Sequence, residues 1–196
     1  YDILLGTQMV AKGLNFPNLQ LVGVILADAG LHMPDFRAGE RTFSLITQVA
    51  GRAGRYFPDG KVIVQTYEPT QKAIMYACKG NTEAFYENEL KERELLDFPP
   101  YSRLLRFVFR SYNKSAAAKS AEDAAKILAD KKFRALEIIG PAECPIERMN
   151  SSWRYQLLLK STSMNLLQEA GRHLLFDYSH NPSVYIEYDC DPISLL

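Results

Sequence analysis

Gln48-Val49-Ala50-Gly51-Arg52-Ala53-Gly54-Arg55 packs two arginines, two glycines and a glutamine into eight residues. Arginines three apart put two planar, permanently charged forks on one side of a helical turn. Such forks suit a polyanion, and a nucleoside triphosphate is the obvious one. Glycines beside them let a second backbone or a ligand approach closely. The same residues also fit a plain helix end that runs into a loop, and spacing alone leaves the two readings level.

Upstream, Leu4 to Pro17 reads Leu-Leu-Gly-Thr-Gln-Met-Val-Ala-Lys-Gly-Leu-Asn-Phe-Pro and precedes the apolar run Leu21 to Ala27. The order is strand, polar loop at Thr7-Gln8, short helix around Met9 to Lys12, a turn at Gly13, then a buried strand. Thr7 with Lys12-Gly13-Leu14-Asn15-Phe16-Pro17, followed by Gln48-X-X-Gly51-Arg52-X-Gly54-Arg55, resembles motifs V and VI of superfamily 2 helicases. Asp28 to Phe43 between them narrows the match. With Phe98-Pro99-Pro100-Tyr101, Trp153 to Lys160 and the closing Asp191-Pro192-Ile193, it resembles the replication-restart DNA helicases of the primosomal protein N′ family. The resemblance runs nearly end to end.

It implies an α/β fold: the C-terminal part of a RecA-like helicase lobe, then a small α+β sandwich. Residues 1–70 fall in the second RecA-like lobe, 71–100 in a helical connector, and 101–196 in a domain for DNA or partner binding. It also implies an ATP-dependent 3′→5′ DNA helicase that recognises stalled or repaired replication forks and restarts replication by primosome assembly. Arg55 is then the arginine finger toward the γ-phosphate, Arg52 a second phosphate or carboxylate contact, and Gln48 an orienting group for water or phosphate. Thr7 and the amides after it would hold a DNA phosphate at a helix N-terminus, with Lys12 adding charge. Many helicases carry Asp where Asn15 stands. The chain has no Gly-X-X-X-X-Gly-Lys-Ser/Thr loop and no Asp-Glu metal motif, so it is expected to be inactive alone. ATP and Mg2+ belong to the full-length protein, and zinc is expected upstream.

Composition sets the frame. The chain has 196 residues, 47% hydrophobic and 23% charged, with 23 basic and 23 acidic side chains and a net charge of zero. That describes a soluble globular protein with no global basic field, so any nucleic-acid surface is a local patch. Residues 101–196 carry 13 Lys+Arg against 11 Asp+Glu, a net of +2. Cys78, Cys144 and Cys190 form no Cys-X-X-Cys pair, so no metal site is expected within the chain and a reduced, cytoplasmic setting is. In a bacterium that setting includes the nucleoid. No apolar run is long enough to cross a bilayer. The chain opens at Tyr1 on a strand-like segment, as a piece of a longer protein would.

Periodicity places strands at 2–6, 21–27 and 61–66 and a helix at 39–53. Residues 71–97 read as helical, broken at Gly80-Asn81, with Asn81 or Thr82 as a cap, and Phe98-Pro99-Pro100 stops them. Residues 101–196 then run β-α-β-β-α-β: strand 104–109, helix 115–130, an interrupted strand over 136–139 and 143–149, a hairpin turn at 150–152, strand 153–160, helix 163–178 and strand 184–190. That order points to a split β-α-β sandwich with two helices on one face of an antiparallel sheet.

Alternation puts Trp153 and Tyr155 on one face of their strand and Arg154 on the other. Exposed aromatics there stack unpaired bases while arginine grips phosphate; equally, the aromatic face is core beneath the helices. Arg148 and Lys160 supplement Arg154, because Asn150 and Ser152 stand where the family's hairpin is more basic. His32 reads as structural, and Tyr76, Phe85 and Tyr86 as packing for the connector. The family also docks the acidic tail of single-stranded DNA-binding protein, and Gln168 matches a polar position of that pocket, although Met164 and Leu166 stand where a basic residue is expected. The implied partners are forked and single-stranded DNA, that binding protein and other primosome proteins, with no membrane. Two other classes remain open from the residues: another superfamily 2 helicase or translocase, and a non-enzymatic DNA or protein adaptor.

Overall fold

The computed structural model describes residues 3–7, 17, 19–53, 59–176, 179 and 181–195. It divides into two compact units, Tyr1–Glu92 and Arg93–Leu196.

In the first unit, β1 (Leu21–Val24) and β2 (Lys61–Val64) are short β-branched runs, the composition that favours a pleated, half-buried strand. They pair in parallel, Leu21 opposite Lys61 and Val24 opposite Val64. Between them lies α1 (Ala38–Ala53), whose Thr42, Phe43, Ile46, Val49 and Ala53 recur at helical spacing and form its buried stripe. Asp35 organises its entry: one carboxylate oxygen accepts the Arg37 N–H at 3.0 Å and the other pairs with Arg41 at 2.8 Å. Two further helices, α2 (Lys72–Cys78) and α3 (Thr82–Leu95), reverse at Gly80, where φ is +63°. Asn81 caps α3 by accepting the Ala84 N–H at 3.0 Å. The core is built on Phe43 stacked against Phe85, ring centroids 4.0 Å apart, with Ile46, Ala73, Ile74 and Ala77 around them. Tyr76 packs against this cluster, while Tyr86 is half exposed with its ring 5.6 Å from that of Phe85.

Two strand expectations change here. Residues 3–6 are exposed and carry no strand, because no described neighbour offers them a ladder to join. The expected strand 21–27 stops at Val24. Leu26 takes a left-handed backbone, φ 53°, and turns the chain into a single 3-10 turn, Ala27–Gly30. Asp28 in that turn is buried and accepts the Thr66 hydroxyl and the backbone N–H groups of Tyr67 (2.8 Å) and Glu68 (3.3 Å). The carboxylate thus ties the exits of both strands together. These hydrogen bonds, the Thr66 hydroxyl foremost, hold its pKa below the ordinary carboxylate value.

The second unit runs β3 (Arg103–Ser111), α4 (Lys114–Asp130), β4 (Glu137–Met149), β5 (Ser152–Ser161), α5 (Met164–Phe176) and β6 (Tyr185–Cys190). Its sheet order is β4-β5-β3-β6 with every neighbouring pair antiparallel, the split β-α-β arrangement that the element order predicts. The stripes Ala121, Ala124 and Leu128 of α4 and Leu167, Ala170 and Leu174 of α5 cover Leu105, Phe107, Phe109, Leu157 and Leu159. Each fully buried large side chain contributes about 1.5–3 kcal/mol relative to exposure. Gly171 sets how closely α5 lies on β3: a Cβ there would stand 3.0 Å from Leu105 Cδ2.

The opposite face of this sheet is also closed. Leu104, Arg106, Val108 and Arg154 are buried although alternation aims them away from the helices. Part of the cover is a bulge: Glu143 pairs with Tyr155 and Arg148 with Trp153, so β4 takes five steps where β5 takes two. The other part is the segment after β6. Asp191 is held by the Leu104 N–H (3.1 Å) and Arg103 Nε (2.8 Å), and Pro192 is fully buried.

Candidate nucleic-acid interface

On α1, Gln48 is exposed and Arg52 half-buried, four residues apart and therefore on one side of the helix. The described helix runs to Ala53. A Cβ added at Gly51 meets nothing within 4 Å, which leaves that side open to close approach. Arg55 and Lys12, the expected finger and the motif V lysine, lie outside the described residues. Thr7 is exposed, and the helix expected around Met9 to Lys12 and the turn at Gly13 lie outside the described residues. His32 is exposed as well, so it is not a core histidine. Among the described residues no group of three His, Cys, Asp or Glu side chains is arranged to hold a metal ion.

The end of the second unit's sheet beside the β4–β5 turn gathers most of the other candidates. Asn150 and Ser151 both adopt positive φ, 49° and 64°, which makes a two-residue turn of the type that matches strand twist. Directly beyond it Arg148 pairs in register with Trp153, and its guanidinium carbon stands 5.3 Å from the indole centroid. Lys114, at the start of α4, places its ammonium 4.7 Å from the same ring. Trp153 is thus half-buried between cations. Tyr155 beside it packs on the helix-side core and donates its hydroxyl to Glu143 at 2.7 Å. Glu143 also pairs with Lys114 at 2.7 Å. Lys114 first, then Tyr155, hold its carboxyl below the usual range, while Glu143 pushes both partners up.

Arg154 and Lys160 point to the other face and are engaged within the fold. Arg154 is 7% exposed and donates to the Ile146 carbonyl at 3.3 Å, across the bulge. Lys160 bridges Glu137 at 2.7 Å and the Leu96 carbonyl at 3.1 Å, with Phe98 beneath it. Arg106 sits between the two, donating to Gln156 Oε1 at 3.0 Å, with Cys144 Sγ 3.9 Å from its Nη2. Burial pushes the Cys144 thiol up against the opposing pull of Arg154 and Arg106.

Gln168 is exposed on α5 and lines a groove of ≈ 370 Å³ with Lys131, Phe133, Asn165, Glu169, Arg172 and His173. Lys131 and Arg172 bring positive charge to this groove beside Glu169, and His173 adds an imidazole. Sequence reasoning missed these three. The spacing of Gln168 and Arg172, one helical turn apart, was the available signal; Lys131 comes from another helix end and gave none. It also passed over Lys114, which closes one side of Trp153, although Arg110-X-Tyr112-X-Lys114 alternates visibly at the exit of β3.

Residues 94–193 match the family model described as primosomal protein N C-terminal domain. Over its whole length the chain is 47% identical to the replication restart protein PriA of Treponema pallidum, of which it covers 30%. It is 38% identical to the protein of that name from Borreliella burgdorferi, again covering 30%, and 40% identical to that of Bacillus subtilis, covering 25%. The chain therefore spans about a third or less of the curated relatives it matches. By sequence across 94–193, the chain belongs to the primosomal protein N C-terminal domain family.

Proposed function

We propose that the chain is the C-terminal portion of an ATP-dependent 3′→5′ DNA helicase that recognises stalled or repaired forks and restarts replication by primosome assembly. The observation that carries this reading is the alignment of the whole chain, at 47% identity, with a protein named for replication restart. In this reading residues 1–70 belong to a second RecA-like lobe. The parallel pair β1–β2, with α1 between them in the chain, supports this reading, since a doubly wound sheet is built from such units. Arg55 stabilises charge developing on the γ-phosphate, Arg52 holds a second anionic group, and Gln48, one turn before Arg52, orients the attacking water. Thr7 and Lys12 contact a DNA phosphate. In the second unit Arg148 and Trp153 meet DNA, while Arg154 and Lys160 hold the strands that present them.

The groove at Gln168 takes the acidic tail of single-stranded DNA-binding protein, with Lys131 and Arg172 supplying positive charge. Other primosome proteins complete the assembly, and the setting is the bacterial cytoplasm. No described helix is long and apolar enough to cross a membrane.

The test is ATP hydrolysis and fork unwinding by the full-length protein, compared with Arg55→Ala and with the 196-residue chain alone. Full-length protein is expected to turn over ATP in a DNA-stimulated manner, Arg55→Ala to lose about three to five orders of magnitude, and the chain alone to be inactive. Turnover by the chain alone, or full-length protein that hydrolyses no ATP with DNA, would overturn it.

A further inference from the structure

Where β3 leaves the sheet and β6 enters it, two tyrosine rings stand in solvent. Tyr112 is 80% exposed and Tyr185 is 65% exposed. Tyr185 pairs in register with Arg110, whose guanidinium carbon is 6.0 Å from the ring centroid and whose Nη1 ion-pairs with Glu187. Beyond that pair the two chains stay together, because Ser111 Oγ donates to the Ser183 carbonyl at 2.9 Å. Tyr112 follows at once, in the bend between β3 and α4. Single exposed apolar residues are ordinary; two phenol rings and an arginine converging on one strand end are a surface.

Trp153 at the same end is built differently. It is half-buried, with Lys114 and Arg148 already within 6 Å of its ring, so its π-faces serve cations of the fold. The rings still open to a flat ligand are the tyrosines.

We propose that Tyr185 and Tyr112 form a stacking platform for unpaired bases of single-stranded nucleic acid, with Arg110 fixing the Tyr185 ring. The inference rests on the reading of the second unit as a DNA contact and names the part of the DNA it takes. Charge at this end is nearly balanced: Arg110 pairs with Glu187 and Lys114 with Glu143, while Arg148 lies over Trp153. Affinity at this end therefore comes from stacking more than from phosphate neutralisation. The dependence of log K on log salt is correspondingly shallow, a slope of about −0.7 for one phosphate on a single strand.

The experiment uses the 196-residue chain and fluorescence anisotropy of a labelled oligothymidylate of about ten nucleotides, beside an abasic oligomer of equal length. Trp153, the single tryptophan, reports folding of every variant through its emission. Tyr185→Ala is expected to weaken oligothymidylate binding about ten-fold or more, Tyr112→Ala to weaken it less, and Tyr185→Phe to keep it within about two-fold, since the ring is retained. The abasic oligomer should bind wild type no better than oligothymidylate binds Tyr185→Ala. Equal affinity for the two oligomers, or indifference to Tyr185→Ala, overturns the platform and leaves the broader DNA reading standing. No binding of either oligomer at low salt overturns both.

Discussion

Arg106, in the middle of β3, donates its Nη1 hydrogen to the carbonyl oxygen of Ser194, 3.1 Å away. One buried guanidinium thereby joins the sheet to the segment after β6, to Gln156 on β5 and to the bulge of β4. Arg106→Met would leave the Gln156 and Ser194 oxygens without that donor in a buried setting, at a cost of about 1–3 kcal/mol. Arg106→Lys is expected to fall short of wild type as well, since an ammonium lacks the fork that reaches several acceptors. Urea unfolding of the chain measures both; full stability in Arg106→Met would show the network to be dispensable.

Asp28 gives the first unit a pH dependence of definite sign. Its folded pKa lies below the ordinary value, so the stability it contributes is present above the unfolded pKa, about 3.9, and is lost as pH falls through the lower folded value. Asp28→Asn should destabilise at neutral pH, and the gap to wild type should close as the solution is acidified below pH ~4. Unfolding midpoints measured from neutral pH downward check this. A gap that stays constant with pH would remove the carboxylate's charge from the explanation.

Phe85 is 1% exposed and stacked on Phe43, so the small core of the first unit depends on one aromatic pair. Phe85→Ala is expected to cost about 3–5 kcal/mol, and Phe85→Leu less, since much of the volume stays. Two-probe denaturant unfolding would read it: Trp153 emission reports the second unit and far-ultraviolet circular dichroism the whole chain.

The groove on α5 offers Lys131 and Arg172 to an acidic peptide, with Phe133 as an apolar floor. Arg172→Glu is expected to weaken an acidic C-terminal peptide of single-stranded DNA-binding protein about ten-fold, and Gln168→Ala by less, as for loss of a charged and a neutral hydrogen-bond partner. Calorimetric titration at low salt distinguishes the outcomes; unchanged affinity in Arg172→Glu would place the peptide elsewhere.

The second unit was legible in the sequence because its elements satisfy local rules one by one. Leu105, Phe107 and Phe109 alternate, α4 repeats Ala at helical spacing, and Asn150-Ser151 is short and polar. What escaped was long-range. Nothing local says that Arg154 and Arg106 are buried, because their cover is a bulge in β4 and a segment beyond β6, both unreadable by periodicity. In the first unit the apolar run reads as strand to Ala27 because Leu26 is apolar, while its left-handed backbone opens the turn that carries Asp28, whose partners lie nearly forty residues downstream. The α1 candidates were found from motif order. Gln48 and Arg52 do share a helix side, whereas Lys114 and Lys131 went unnoticed because each matters only through a residue on another element.

The Asn150-Ser151 turn sets the phase of the sheet. Two residues, both left-handed, fix Met149 against Ser152 and Arg148 against Trp153, the pairs that precede the bulge. A side chain's face depends on odd or even position, so inserting or deleting one residue here would exchange Trp153 with Arg154. The indole would turn under the bulge and the guanidinium into the apolar layer beneath the helices. The turn therefore acts as a ruler for the pairs beside it: the chemistry presented at this end of the sheet is written in the length of a loop.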